Sequence, residues 1–386
     1  TRGRGNALRL AITGQFGDGE PAWNDGETME TLDLCLSCKG CKTECPSNVD
    51  IAQYKAEYLA QSYRGRGVPI RARVFGHVRA LNRIGSALMP VSNWVLNARA
   101  HRFVLNRLLG LASERELPRF GKSLFRHRGE AGHRVNATDA PCVVLFGDCF
   151  TAYNEPEIGI DAVRLLGAFG YRVEVVDAGC CGRALISTGC LDDATRAIGR
   201  TAARLTSVAR EHSAVGVVVC EPSCLSAIKD EWRTLRGLPD EARAVGAAAW
   251  LVEQFLADNW DSHPTRPEFE TPVGRVLLHG HCHQKALWGA DSTAKMLARA
   301  FGAGRVRVLD TGCCGMAGSF GYTADRYGLS MRIGELSLFP AVRAMETGDV
   351  LVAPGTSCRH QVREGVGVEG EHPVRLLARM LRVSGG

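Results

Sequence analysis

Two adjacent cysteines, Cys313 and Cys314, follow the run Val306-Arg307-Val308-Leu309-Asp310-Thr311-Gly312 and precede Gly315. The run has strand composition, and Gly312 and Gly315 bracket the thiols with the permissive backbone of a sharp turn. Side chains alternate across a strand, so neighbouring thiols can serve one site only where the strand has ended. A helix start after such a turn would offer unpaired N–H groups to thiolates or to an anionic cluster. The chemistry in view is ligation through sulfur. The same phrase occurs earlier, as Val173-Glu174-Val175-Val176-Asp177-Ala178-Gly179-Cys180-Cys181-Gly182, and the copy reaches further. Cys149, Cys180 and Cys181 each lie 133 positions before Cys282, Cys313 and Cys314, and Cys224 lies 134 before Cys358. Buried cysteine can be an inert packing residue, but four coincidences at a common offset mark an internal repeat. Clustered thiols without a secretory leader point to metal or catalysis.

A second cysteine cluster stands near the start: Cys35, Cys38, Cys41 and Cys45, followed at once by Pro46. C-x2-C-x2-C-x3-C-P is the spacing of bacterial ferredoxins, in which closely spaced thiols wrap a cubane and the proline turns the chain away. A structural zinc site is the alternative, although zinc ligand pairs are usually parted by a long loop. In two-cluster ferredoxins the fourth cysteine of such a run serves the other cluster. By that rule Cys45 has no partners in this chain, and the trio Cys35, Cys38 and Cys41 lacks a fourth ligand. The missing thiols would lie before Thr1, and an opening on Thr1 rather than Met reads as part of a longer or processed polypeptide.

Elements that could position these thiols are legible around them. Each repeat holds three apolar runs that end in cysteine: Val143–Phe146, Val173–Val176 and Val215–Val219, then Val276–Leu278, Val306–Leu309 and Val350–Val352. Stretches long enough for helices separate them, which predicts strand and helix in alternation and a parallel sheet. Loops after the carboxyl ends of parallel strands converge on one edge, where open α/β sheets bind ligands. The expected sets are therefore Cys149, Cys180, Cys181 and Cys224 in one site, and Cys282, Cys313, Cys314 and Cys358 in the other. His281 and His283 flank Cys282 as candidate ligands or hydrogen-bonding neighbours; their counterparts, Asp148 and Phe150, show that the framework does not require imidazole. Gly315, Gly318 and Gly321 are spaced like a phosphate loop but lack a following Lys-Ser/Thr, so packing at the cysteine turn explains them better.

The chain has 386 residues, 45% apolar and 23% charged, an ordinary globular composition with room for two or three domains. The expected division is 1–135, 136–265 and 266–386, with a proline-rich link from Asp261 to Pro272. Fifteen cysteines without a signal peptide argue for a reducing, cytoplasmic setting. No apolar stretch reaches about 18 residues without charge, so none reads as a membrane span. The opening Thr1-Arg2-Gly3-Arg4 is not a nucleotide fingerprint and reads as a basic loop leading into a helix. Ser47-x-x-Asp50 predicts a capped helix to about Arg64, with Ile51, Tyr54, Tyr58 and Leu59 inward. From Arg64 to Arg134 there are fourteen Arg and one Lys against three Glu, a net +12 where the whole chain carries +6. Trp94, Ala98, His101, Leu105 and Leu108 fall on one face of a single expected helix. A solvated helical scaffold, an anionic membrane surface or an acidic partner would suit this segment; without a reader motif it does not suit nucleic acid.

The doubled Cys-Cys-Gly segments, each with an upstream and a downstream cysteine, resemble the cysteine-rich domain of heterodisulfide reductase and the glycolate oxidase iron–sulfur subunit. The TRGR opening joined to Leu32-Asp33-Leu34-Cys35-Leu36-Ser37-Cys38 resembles the C-terminal half of fused FAD-linked D-2-hydroxyacid dehydrogenases of the D-lactate and D-2-hydroxyglutarate type. The resemblance implies an α/β fold with an N-terminal all-α ferredoxin-like domain. It also implies a [4Fe-4S] cluster on Cys35, Cys38 and Cys41, a second on Cys45 with upstream thiols, and further iron–sulfur binding at the repeats. FAD would sit on an upstream domain or subunit, with electrons passing to a quinone or redox protein, and the chain would serve an oxidoreductase acting on the CH-OH group of 2-hydroxy acids. Peripheral contact with the cytoplasmic membrane face is a further expectation. Thiol/disulfide chemistry at the cysteine turns and a zinc-stabilised interaction module are the alternatives. The first repeat has Cys220-Glu221-Pro222-Ser223-Cys224 where heterodisulfide reductases have a closer pair, and the second has Cys358 alone. That argues against five-thiolate noncubane clusters, most of all in the second repeat.

Overall fold

The computed structural model describes residues 1–16, 19–126 and 139–382. The boundary expected at 135/136, and most of the polar connection from His133, lie outside them. Four helices build the N-terminal unit: α1 (Arg2–Ile12), α2 (Gly26–Asp33), α3 (Gly40–Glu44) and α4 (Ile51–Arg66). Their small core is Leu8, Ala11, Leu32, Ile51 and Tyr58, with Cys35 and Cys41 packed against it. Helix α1 starts at Arg2, so the opening is helix rather than basic loop. Its Arg4 donates to the carbonyls of Thr31 (3.3 Å) and Leu34 (2.9 Å) and braces the cysteine loop from behind. The cap of α4 is Asp50, which accepts from Gln53 N, not Ser47. Asn48 takes a left-handed turn, φ 54°, between that serine and the helix. Tyr54 faces solvent, while Ile51, Tyr58 and Leu59 are buried as expected.

The basic segment forms α5 (Ile70–Gly76), α6 (Val78–Ala87), α7 (Val91–Asn97) and α8 (Arg99–Leu109). Ala98 is extended, φ −69° and ψ 128°, and divides the single helix expected there. Trp94 and Leu108 therefore do not share one helix face.

Strands β1 (Cys142–Phe146), β2 (Arg172–Val176), β3 (Gly216–Val219) and β4 (Ala249–Leu251) form a parallel sheet in the order β2-β1-β3-β4. Strands β5 (Val276–Leu278), β6 (Val306–Val308) and β7 (Val350–Val352) form a second, in the order β6-β5-β7. All pairings are parallel; Val143 lies opposite Val173 and Gly216, and Val276 opposite Val306 and Val350. The first strand of each repeat is thus central and buried on both faces, as its unbroken apolar sequence requires. Strand β4 has no counterpart in the second sheet, and three residues, Ala-Trp-Leu, carry too little pattern to foretell it. One continuous core includes Val143, Leu145 and Val218 of the first repeat and Val276, Leu278 and Val352 of the second. Phe269, within the expected link, is buried in that core, so the prolines there bend a packed segment.

Candidate metal centres

Each central strand delivers its cysteine into the first turn of a short helix, Cys149–Tyr153 after β1 and Cys282–Leu287 after β5. The caps differ: Asp148 accepts from the amides of Phe150 and Thr151, and His281 Nδ1 accepts from His283 N. Edge strands β2 and β6 deliver the cysteine pairs. In both copies the glycine after the pair donates its N–H to the first sulfur, Gly182 to Cys180 and Gly315 to Cys313, each at 3.4 Å. Both glycines have positive φ, 84° and 91°, and a Cβ would strike Ile198 at 2.6 Å or the Ser330 carbonyl at 2.3 Å. These turns close over the next layer and leave room for nothing larger. Gly312 has no such constraint. A helix, Arg183–Ser187, starts directly after the first pair. After the second pair the chain continues through turns, and the next α-helix begins at Ala324, so the helix start expected at Cys314 is absent. Lys285 instead holds that turn, donating to the carbonyls of Thr311 and Gly312.

The thiols meet within each repeat as the offset predicts. Cys149 is hydrogen-bonded to Cys180, Cys180 to Cys181, and Cys181 to Cys224, the last with sulfurs 3.2 Å apart. The second repeat repeats the chain link for link, Cys282 to Cys313 to Cys314 to Cys358. Three strand ends and one sheet edge produce each set. Cys220 stays out of it: it lies in the apolar core, its carbonyl accepts from His372, and its neighbour is the Thr151 hydroxyl. His283 is also accounted for. Its Nε2 lies 2.9 Å from the Ser37 carbonyl and its Nδ1 2.8 Å from the Ser226 hydroxyl, so both ring nitrogens serve hydrogen bonds.

Protonation follows burial. A hydrogen bond with Cys149 lowers the Cys180 pKa, but its bond to Cys181 and its burial push it up to about 12. Cys224 is lowered by Cys181 and then raised to about 12 by desolvation. Cys149 and Cys282 are raised by their hydrogen bonds to the paired cysteines and by burial. Burial raises each of these thiols above the ordinary cysteine range.

In the N-terminal loop, Cys38 lies within electrostatic range of Cys35 and Cys41. Cys45 is set apart, its sulfur facing the amides of Ser47, Asn48 and Val49, which lower its pKa. What the sequence did not foretell is where this loop docks. Lys39, buried at 2% exposure and in a left-handed turn, pairs with Asp50 (3.1 Å), Asp230 (2.6 Å) and Glu231 (3.0 Å), and Lys42 also reaches Asp230. Asp230 and Glu231 fasten the loop to the first repeat, and Asp50 ties it to α4. The next residue back from Cys38 touches both repeats: the Ser37 carbonyl accepts from Arg183 of the first (3.2 Å) and His283 of the second. Helix α3 packs on Cys282–Leu287, which brings Cys38 within electrostatic range of Cys282. Two guanidiniums complete the surroundings: Arg79 of α6 stands near Cys149, and Arg183 near Cys282.

All donors gathered at the two sheet edges are sulfur, four in each set, as thiolate ligation of iron–sulfur groups requires. Among the described residues, no three His, Cys, Asp or Glu side chains meet the spacing of a single-ion site. Residues 143–229 and 276–363 each match the model of the cysteine-rich domain known as CCG. The chain carries two CCG domains. Their limits enclose both thiol sets, and the N-terminal cysteine loop lies outside them.

Similarity extends well beyond the CCG domains. One of the subunits of anaerobic glycerol-3-phosphate dehydrogenase of Escherichia coli (strain K12) is 28% identical over 381 residues, covering 92% of this chain and 91% of that protein. D-2-hydroxyglutarate dehydrogenase of the same organism is 27% identical over 367 residues, with 92% of this chain but 35% of that protein covered. One of the subunits of fumarate reductase (CoM/CoB) of Methanothermobacter marburgensis is 23% identical over 359 residues, covering 91% and 61%. The likeness to D-2-hydroxyglutarate dehydrogenase was legible in the sequence; the likeness to the glycerol-3-phosphate dehydrogenase subunit was not.

Proposed function

We propose that this chain is the iron–sulfur electron-transfer component of a flavin-dependent dehydrogenase, receiving electrons from a flavin on a partner domain or subunit and delivering them to a quinone or redox protein. Cys35, Cys38 and Cys41 would hold a [4Fe-4S] cluster, Cys45 would ligate a second with thiols from outside this chain, and each CCG domain would hold one iron–sulfur group on its four thiols. When bound, such groups supply one-electron redox chemistry at potentials set by charge, hydrogen bonds and burial. The protein's own part is to fix distance and environment. The observation that carries the reading is the Ser37 carbonyl gripped by Arg183 and His283, which seats the ferredoxin-type loop directly on the second thiol set. A binding module would not need that adjacency; an electron route does.

The substrate class is an alcohol carbon next to an acidic group. The D-2-hydroxyglutarate dehydrogenase likeness favours a D-2-hydroxy acid, and the likeness to the glycerol-3-phosphate dehydrogenase component makes a polyol phosphate the competitor. Thiol/disulfide chemistry is disfavoured because Cys149, Cys181, Cys224, Cys314 and Cys358 are buried and give a substrate disulfide little access. Anaerobic purification with iron and zinc analysis and electron paramagnetic resonance tests the proposal. Brown protein whose signals appear on reduction is expected; colourless protein holding zinc alone would overturn it.

A further inference from the structure

Helix α6 is amphipathic in the reverse of the usual sense. Its buried residues are Asn82, Gly85 and Ser86, while Leu81, Ile84 and, just past its end, Leu88 face solvent. The polar side chains hold it down: Asn82 donates to Asn154 Oδ1 (2.6 Å) and Ser86 to the Gly121 carbonyl (2.7 Å). The next helix is tied the same way, with Asn93 bonded in both directions to the Phe120 backbone. Outward apolar residues continue along the segment, with Val91 63%, Trp94 75%, Phe103 72% and Leu108 72% exposed. None of the four hydrophobic cores includes a buried residue from 69–110. Monomeric soluble proteins rarely leave so many large apolar side chains uncovered on one segment.

Charge decides what covers them. Residues 58–113 contain nine Arg and no Lys, Asp or Glu. Arg71, Arg73, Arg83 and Arg107 are exposed beside the apolar residues. A second copy laid on this face would set arginine against arginine. A protein groove would meet a segment with no carboxylate of its own to fix its register, those near it, Asp177 and Asp193, lying against Arg79 and His77. An anionic bilayer needs no register, accepts Trp, Phe and Leu at its acyl boundary and attracts arginine at its headgroups. No helix is long and apolar enough to cross a membrane among the described residues, so the contact is with one leaflet.

We propose that α6–α8 form a lipid-docking surface, with Leu81, Ile84, Leu88, Val91, Trp94 and Phe103 entering the interface of an anionic membrane. The proposal deepens the electron-transfer reading by naming where the module meets a membrane-borne acceptor, and it rests on that reading for its purpose. Flotation of the full chain with vesicles tests it, using phosphatidylcholine alone and phosphatidylcholine mixed with phosphatidylglycerol. The bound fraction is expected to be roughly tenfold higher on the anionic vesicles. Arg83→Gln with Arg107→Gln removes most of that preference. Leu88→Glu with Phe103→Glu abolishes flotation on both, and the milder Trp94→Ser weakens it should the double variant fail to fold by circular dichroism. Folded wild-type chain that floats with neither vesicle overturns the proposal. So does a dimer that Leu88→Glu dissociates, which assigns the face to a second copy, or loss of a flavoprotein complex in that variant without any vesicle binding. Iron content separates the two readings. Chain that floats without binding iron refutes electron transfer and keeps the docking surface; iron-loaded chain that does not float does the reverse.

Discussion

The two CCG domains share a ligand framework and differ in almost everything placed around it. In the first, Asp148 caps the leading cysteine and the neighbouring cation is Arg79, borrowed from α6, where it also donates to the Gly147 carbonyl (2.9 Å) and pairs with Asp177 (2.6 Å). In the second, His281 caps the leading cysteine and the cation is Arg183, borrowed from the first domain. The cysteine turn of the first is backed by Trp232, whose indole N–H donates to the Cys181 carbonyl at 2.8 Å; that of the second is held by Lys285. The first has a fourth strand and the acidic clamp on Lys39, while the second touches the ferredoxin-type loop through His283. Duplication thus preserved the sulfur positions, and the guanidinium beside each site is supplied from outside its own repeat. Two like groups would therefore sit in unlike fields.

The largest expected effect tests whether the sites are separate. Cys314→Ser should remove the iron of the second domain and leave that of the first, and Cys181→Ser should do the converse, read by iron per chain and by electron paramagnetic resonance. Loss of both groups in either variant would mean one mixed site and would break the comparison.

Which domain holds the ferredoxin-type loop can be sharpened next. Lys39→Ala leaves buried Glu231 without its cation, and Asp50 with only Lys42 at 3.9 Å, and should cost about 3 kcal/mol in urea unfolding. His283→Ala removes neutral hydrogen bonds to Ser37 and Ser226 and should cost about 1 kcal/mol. Equal losses would mean the loop is carried by both domains alike.

The smallest effect concerns charge. Arg183→Gln should lower the midpoint potential of the second domain's group by on the order of tens of millivolts, because loss of a nearby positive charge favours the oxidised state. Arg79→Gln should do so only in the first domain. A potentiometric titration in which either variant shifts both groups equally would show that the fields are not local.

Much of this arrangement was determined by sequence alone. A common offset of cysteines, apolar runs ending in those cysteines and helix-length spacers dictate two parallel sheets with sulfur at their carboxyl edges, because strand periodicity and right-handed crossovers leave few other arrangements. The ferredoxin spacing around Cys35 was equally legible, since its ligands are close in the chain. Tertiary structure decided what local pattern does not encode. Ser37, Arg183 and His283 meet across separations of 100 residues or more, and only packing brings them together. The burial of the thiols depends on the layers laid over them, not on their neighbours in sequence. The apolar faces of α6–α8 carry an ordinary helical period, and only the fold shows that they point outward, because asparagine and serine on the opposite face had already found their partners inside.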